Sequence, residues 1–466
     1  MSNKKIFILL PDGVGLRNFG YTDFYKKSGD NNSDIVFWNI TQFPLTDLGY
    51  KELKISNVKL HPLTDIYKSA KVQVEFNLNI KKTKDKVYNS YRFPFQYNTI
   101  KLAAKSVLVN LITFTHSTKW GLLRIRKKIV EKERKTLYYY QSLETLENEN
   151  PNMVFCTNQR HITTVAPLLA AKDLGIPTAT FIFSWDNLPK ATMVVETDYY
   201  FVWSDYMKNE LLFYYPYIKP DQVFVTGSPQ FEMHFDKNNL LTKEDFFIQN
   251  GLNLSKKYIC FSGNDETSSP DDPKYLIDIA QAVRKLNAQG NNFGVIFRKS
   301  PVDFSGRFDS ILESYSEEIV FVDPLWEALT TSWNSILPTI NDDVLFSNIV
   351  EHTESLVTIG SSTVFDFISH NKPTSYLRYN QKEQLDKKWD IHKCYGYAHF
   401  RSMPTPEVVF WINNPNELEE VIEKMLSNDA SKVVKNAQKW FEKINQHPPE
   451  KASERIWNAI DEICKK

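Results

Sequence analysis

Short apolar runs alternate with helix-period segments in a rhythm that stops and restarts once, and this constrains the chain more than any other feature. The run "IFILL" opens the series, followed by the loop "PDGVGLRNFGYTDF", a helix and a second run near "DIVFWNI". From 151 the pattern continues through "MVFCT", the helical "TTVAPLLAAKDLG", "PTATFIFS", "YYFVWS" with the helical "YMKNELLFYY", and "QVFVTGSP". Runs of four to six apolar residues between helices are the mark of parallel strands covered on both faces. After "SPQFEMHFDKNN" a second series begins with "YICFSG" and proceeds through "FGVIFRKSP", "EIVFVDP", "SLVTIG" and "TSYLRY", with helical segments between. The expectation is an α/β protein with two Rossmann-like domains facing each other across a cleft. Residues 1–235 form the first domain, 236–256 a polar linker and 257–425 the second domain. The helical segment 426–466 is expected to pack back on the first domain, with Trp440, Phe441 and Trp457 as anchors.

Composition excludes several function classes. The 466 residues exceed one ordinary domain, and 56 basic residues cancel 56 acidic ones, which argues against a nucleic-acid partner. Four cysteines without metal-ligand spacing point to neither a disulfide framework nor a zinc site, so a reducing cytoplasm is expected. "IFILL" is too short for a secretory leader, and no apolar run approaches the ~18 residues of a membrane span. One stretch departs from neutrality: residues 101–135 carry ten Lys or Arg against two Glu. It reads either as a solvated helix face or as a surface for anionic headgroups, which would make the protein peripheral on the inner face of a membrane.

In open α/β sheets ligands bind beyond the carboxyl ends of the strands, so candidate residues are sought there. In "LVTIGSSTVFDFISHNKP", Gly360 permits close backbone approach, while Ser361, Ser362 and Thr363 open a helix and Asp366 follows one turn later. Such a turn is either a helix cap or a phosphate seat. Gly263 and Asn264 lie in the polar loop 262–272, and Arg298 and Lys299 leave another strand end with positive charge. In the first domain, Asp12, Arg17 and Asn18 are expected to face the cleft; the GxGxxG spacing of a dinucleotide site is absent. His161 in "NQRHITT" and Asp186 in "FSWDNLPK" are, with Asp12, the candidates for a general base; His116 is a weaker one. Alternating acids that would chelate a divalent ion are missing. Asp271-Asp272 and Asp342-Asp343 are adjacent pairs, read as solvated loop acids, so a metal-independent reaction without cofactor is expected.

The segments "FSWDNLPK", "YYFVWSDYMKNEL", "VFVTGSPQFE", "FRKSP" and "IGSSTVFDFISHNKP", in that order, resemble bacterial GT-B-fold glycosyltransferases of surface polysaccharide biosynthesis. The resemblance covers about 180–380, while 30–150 contributes almost nothing. It implies a nucleotide-sugar donor held by the second domain and a glycan or lipid-linked acceptor entering from the first. By position, Ser361, Ser362 and Thr363 would contact the diphosphate, Asp366 the ribose and Arg298 a phosphate, with Gly227 and Ser228 at a hinge. Ser300 stands where relatives often carry His before the proline, so no side-chain role is carried to it. Rival readings on the same architecture are a polyol-phosphate transferase using a cytidine nucleotide and a nucleotide-sugar 2-epimerase. A rival from another class is a non-catalytic sugar-binding or scaffold protein.

Overall fold

The computed structural model describes residues 3–330 and 335–465. The chain divides into two compact units, Met1–Pro229 with Gln446–Lys466, and Gln230–Asn445.

The first unit contains strands β1 (Lys4–Leu10), β2 (Ser33–Asn39), β3 (Glu52–Lys54), β4 (Met153–Cys156), β5 (Thr178–Phe181), β6 (Tyr199–Val202) and β7 (Val223–Val225). They form one parallel sheet in the order β3-β2-β1-β4-β5-β6-β7. Ile6 to Leu10 of β1 have no solvent exposure, which is why this strand reads as an unbroken apolar run. The strand order reverses between β1 and β4, where Leu9 pairs with Cys156. Between β3 and β4 the chain inserts the helices Thr64–Thr83, Ile100–His116, Lys119–Glu133 and Leu137–Glu149. Thr99, Thr118 and Thr136 cap the last three; each hydroxyl accepts a first-turn amide, at 3.2, 2.9 and 3.1 Å. The basic stretch 101–135 is thus two helices broken at Ser117-Thr118, ending just before a third.

The second unit contains β8 (Lys257–Ser262), β9 (Phe293–Arg298), β10 (Ile319–Phe321), β11 (Glu327–Ala328), β12 (Ile336–Leu337), β13 (Ser355–Thr358), β14 (Thr374–Leu377) and β15 (Phe410–Ile412). Six of these form a parallel sheet in the order β10-β9-β8-β13-β14-β15, and β11 and β12 pair as a separate antiparallel ribbon. Order reversal falls between β8 and β13. Both units therefore have doubly wound, Rossmann-like sheets, as the alternating pattern implies.

Two boundaries differ from the sequence reading. Residues 236–256 are not a free linker: Leu241 N donates to Asn348 Oδ1 (2.8 Å), and the Phe246 ring stacks on His352 at 5.2 Å, which ties the segment into the second unit. The C-terminal helical segment is divided. Helix Ala430–Ile444 belongs to the second unit, where Trp440 meets Phe365 at 4.7 Å and donates to Ser402 Oγ at 2.9 Å. Helix Ala452–Cys464 belongs to the first, where Trp457 stacks on Phe24 at 4.7 Å.

Candidate functional site

At the reversal point of the first sheet, the loops after β1 and β4 bring Asp12 and His161 together. His161 Nε2 donates to Asp12 Oδ2 at 2.7 Å, Asn158 Nδ2 donates to the same oxygen at 2.9 Å, and Gly15 N donates to Oδ1 at 3.1 Å. Burial alone would raise the Asp12 carboxyl, but His161, Asn158 and the Gly15 amide outweigh it and hold it below its ordinary value. Gly15 is needed for space: a Cβ there would lie 2.5 Å from Leu10 Cδ1 and 2.7 Å from Thr157 Oγ1. His161 is partly exposed, and its Nδ1 has no hydrogen bond among the described residues. A buried acid thus fixes the ring of an accessible histidine.

Asp186 stands apart from that pair. Its carboxylate is ion-paired with Lys190 and accepts Asn187 Nδ2 at 2.9 Å. The link is indirect, through Gln159, which donates to Asn187 Oδ1 (3.0 Å) and Thr192 Oγ1 (3.2 Å) and accepts Phe183 N (3.0 Å). Asn158, which bonds Asp12, and Gln159, which bonds Asn187, were not singled out from the sequence, although both sit in the quoted "NQRH". Asn18 is buried, Arg17 is half-buried on helix Gly15–Phe19, and His116 bonds the end of its own helix at Ile112 O (3.1 Å).

The second sheet's reversal point gathers the loops after β8 and β13. Asn264 Nδ2 donates to Ile359 O at 3.2 Å, bridging them, and Gly263 N donates to Arg298 O at 2.9 Å, tying in the end of β9. Gly360 adopts φ +57°, a left-handed conformation that favours glycine. The three hydroxyls then separate. Ser361 Oγ accepts Thr363 N (3.2 Å) and bonds Thr363 Oγ1 (2.8 Å), whereas Ser362 is exposed and its side chain makes no cap bond. A capping role therefore accounts for Ser361 and not for Ser362.

The charges around this turn are already engaged. Arg298 is buried, and its Nη2 donates to both oxygens of Asp342 at 2.8 Å; Asp342 also accepts Leu325 N (2.8 Å) and Trp326 Nε1 (2.6 Å). Arg298 Nη1 is buried with no hydrogen bond among the described residues. The expected phosphate-neutralising cation is therefore one half of a neutral pair. Lys299 faces Asp323 at 3.2 Å. Asp271, Asp272, Asp342 and Asp343 are all buried, which corrects their reading as solvated loop acids. Asp271 immediately precedes helix Asp272–Ala288; the other three lie in the first turns of that helix and of Ile340–His352, where the peptide dipoles favour negative charge. Burial pushes the Asp272 carboxyl up to about 7; its Oδ2 accepts the Asn264 amide.

Asp366, expected to hold a ribose, is the buried end of a chain of side chains that surfaces at Glu351. His234 Nε2 donates to Asp366 Oδ1 at 3.0 Å, His234 Nδ1 meets His370 Nε2 at 3.1 Å, and His370 Nδ1 meets Glu351 Oε2 at 2.7 Å. Burial lowers the His370 imidazole to about 4. Asp366 Oδ2 remains without a hydrogen bond among the described residues. Gly227, at φ +80°, and buried Ser228 lie just before the residue at which the chain passes from one unit to the other.

Comparisons with known proteins bear on the fold. No protein-family model and no curated protein match the chain. A solved structure assigned as a UDP-N-acetylglucosamine 2-epimerase from Listeria monocytogenes is similar with TM-score 0.56 and 12% identity, covering 99% of this chain and 96% of that one. The UDP-GlcNAc 2-epimerase from Neisseria meningitidis bound to UDP-GlcNAc gives 0.51 and 12%, covering 98% and 100%. A glycosyltransferase from Rickettsia africae gives 0.52 and 11%, covering all of both chains at 100%. The fold is GT-B-like. In that frame both candidate clusters lie at strand-order reversals, the positions where doubly wound sheets bind ligands. Among the described residues no helix is long and apolar enough to cross a membrane.

Proposed function

We propose that the protein is a glycosyltransferase that moves a sugar from a nucleotide-sugar donor to an acceptor hydroxyl in surface glycan synthesis. The observation that carries this reading is the Asp12–His161 pair, held at 2.7 Å where the first sheet reverses its strand order. With Nε2–H directed to Asp12, the Nδ1 of His161 is the basic nitrogen. It takes the acceptor proton as the acceptor oxygen bonds to the anomeric carbon, and Asp12 stabilises the imidazolium. The bond from that carbon to the donor phosphate breaks with its electron pair leaving on the nucleoside diphosphate. The donor is assigned to the second unit, with its diphosphate at Ser362 and the Gly360 turn and its ribose at Asp366 Oδ2. Arg298 Nη1 supplies a further donor there, and the reading invokes no metal or cofactor. The fold neighbours named as UDP-GlcNAc 2-epimerases support a second reading, in which His161 moves a proton on the donor sugar itself.

One experiment separates the two. A panel of nucleotide sugars is screened by thermal shift, and any that bind are incubated with and without acceptors while diphosphate release and sugar configuration are followed by NMR. Acceptor-dependent release that falls about 10²–10⁴-fold in His161→Ala, with donor binding kept, supports the transferase. Inversion at the sugar's second carbon without acceptor supports the epimerase. Absence of any nucleotide-dependent shift overturns both.

A further inference from the structure

Helix Ile100–His116 has two apolar faces. One packs into the first unit through Val109, with Leu102 and Ile112 partly buried beside it. The other is Ile100, Ala104, Val107, Leu111 and Phe114, all exposed. At 3.6 residues per turn these positions fall within about 80° of arc, so they form a continuous stripe along the helix. The exposure is extreme for such side chains: Ile100 is 91% and Phe114 85% exposed, and Trp120, at the start of the next helix, is 76% exposed. Phe93, in the segment leading into the helix, is exposed too. Soluble proteins rarely present a contiguous apolar surface of this kind without a partner for it.

The surrounding charge identifies the partner. Residues 86–130 contain no Asp or Glu, but nine Lys or Arg, in a chain whose overall charge is zero. Lys101, Lys119, Arg124 and Lys127 are exposed along the same two helices as the stripe and Trp120. Acids touch this surface only at Lys105, paired with Asp65, and Lys128, paired with Glu131, while the four cations above have no ion pair among the described residues. Aliphatic and aromatic side chains bordered by such cations are what an anionic bilayer surface takes up. The apolar groups enter the acyl boundary and the cations meet the phosphates. We propose that helices Ile100–His116 and Lys119–Glu133 dock the protein on the surface of an anionic bilayer, with Ile100, Leu111, Phe114 and Trp120 inserted and Lys101, Lys119, Arg124 and Lys127 at the headgroups. This docking is independent of which reaction the strand-end residues perform.

The test is co-sedimentation of the whole protein with vesicles of phosphatidylcholine alone or with about 30% phosphatidylglycerol. The wild type should pellet with the anionic vesicles, weakly with the neutral ones, and progressively less as salt is raised. Ile100→Ser/Leu111→Ser/Phe114→Ser should lower the partition by about tenfold or more without lowering Tm, because the replaced groups are already in water. Lys101→Glu/Lys119→Glu/Arg124→Glu/Lys127→Glu should abolish the preference for anionic lipid. Failure of the wild type to pellet, or equal pelleting of the serine variant with an unchanged melting profile, overturns the proposal. So does a wild-type dimer in solution that the serine variant breaks while neither protein binds vesicles, since the stripe would then be covered by a second copy.

Discussion

His161 depends on Asp12 for more than proximity. With the carboxylate accepting from Nε2, the ring is held in the tautomer that leaves Nδ1 basic. Asp12→Asn removes the charge that stabilises the imidazolium, and its NH2 must face either the Gly15 amide or the Asn158 and His161 donors, so the base loses its anchor. Turnover should fall about 10²–10⁴-fold, and combining Asp12→Asn with His161→Ala should cost little more than either alone. Additive losses in steady-state rates would show that the two residues do not act as a unit. The lowered Asp12 carboxyl also sets a pH direction. Its stabilising contacts are complete above the ordinary aspartate value and are lost as pH falls through the lowered folded value, so they persist throughout the neutral range. Asp272 has the opposite sign. Its carboxyl is raised to about 7, so the unfolded chain gives up this proton earlier and stability declines as pH climbs from about 4 to about 7. Asp272→Asn, which keeps an acceptor for the Asn264 amide, should flatten that decline, whose upper limit is of order 4 kcal/mol. Urea melts at pH 5 and pH 8 check this; parallel slopes for both proteins would refute it. Asp12 and His161 were each legible as residues following strands. Their pairing was not, because the β1–β4 register joins residues about 150 positions apart in the chain. Asp342 and Asp271 were misread for a related reason, since Arg298 and the Leu385 amide reach them from 44 and 114 residues away.

At the level of elements, strands were readable wherever both faces are buried, because burial leaves nothing but apolar runs to see. The helices between β3 and β4 were far less readable. They mix exposed apolar and basic residues, and their Thr caps are single residues without surrounding punctuation. The turn at Gly360 was legible as a glycine-hydroxyl turn, but not the division of labour between Ser361 and Ser362. Gly360→Ala must place a Cβ on a left-handed backbone, at a cost of about 1–2 kcal/mol and a fall in Tm of about 2–8 °C. An unchanged melting temperature would mean that the turn relaxes freely. The pair that joins the β9 end to helix Ile340–His352 is a sharper test of packing. Asp342→Ala leaves the Arg298 guanidinium buried without its counter-ion and should cost about 3–5 kcal/mol, whereas Arg298→Met/Asp342→Leu should recover most of it. If the double variant is as unstable as the single one in denaturant titrations, the cost lies in lost shape and not in uncompensated charge.

On the scale of the whole molecule, the first unit is discontinuous in sequence and the second is not. The duplicated sheet pattern reveals two units, but not how the C-terminal helices, expected together on the first, divide between them, because an amphipathic helix carries no record of which core it covers. Helix Ala452–Cys464 is held there by several unlike contacts. Trp457 stacks on Phe24 and donates to its carbonyl at 2.9 Å, Arg455 Nε donates to Thr226 O at 2.7 Å, and Asp461 pairs with Lys4. A fragment ending at 229 would expose the Phe24 surface and lose these bonds together. Residues 230–445 expressed alone should therefore show one cooperative thermal transition, while 1–229 alone should melt broadly and bind hydrophobic dye. Joining 446–466 to residue 229 through a flexible Gly/Ser linker should restore a cooperative transition to the first unit. Within that joined form Trp457→Ala should cost about 3–5 kcal/mol, as expected for emptying a fully buried indole site. A cooperative transition from 1–229 without the helix would show that the returning segment covers the unit without completing its core.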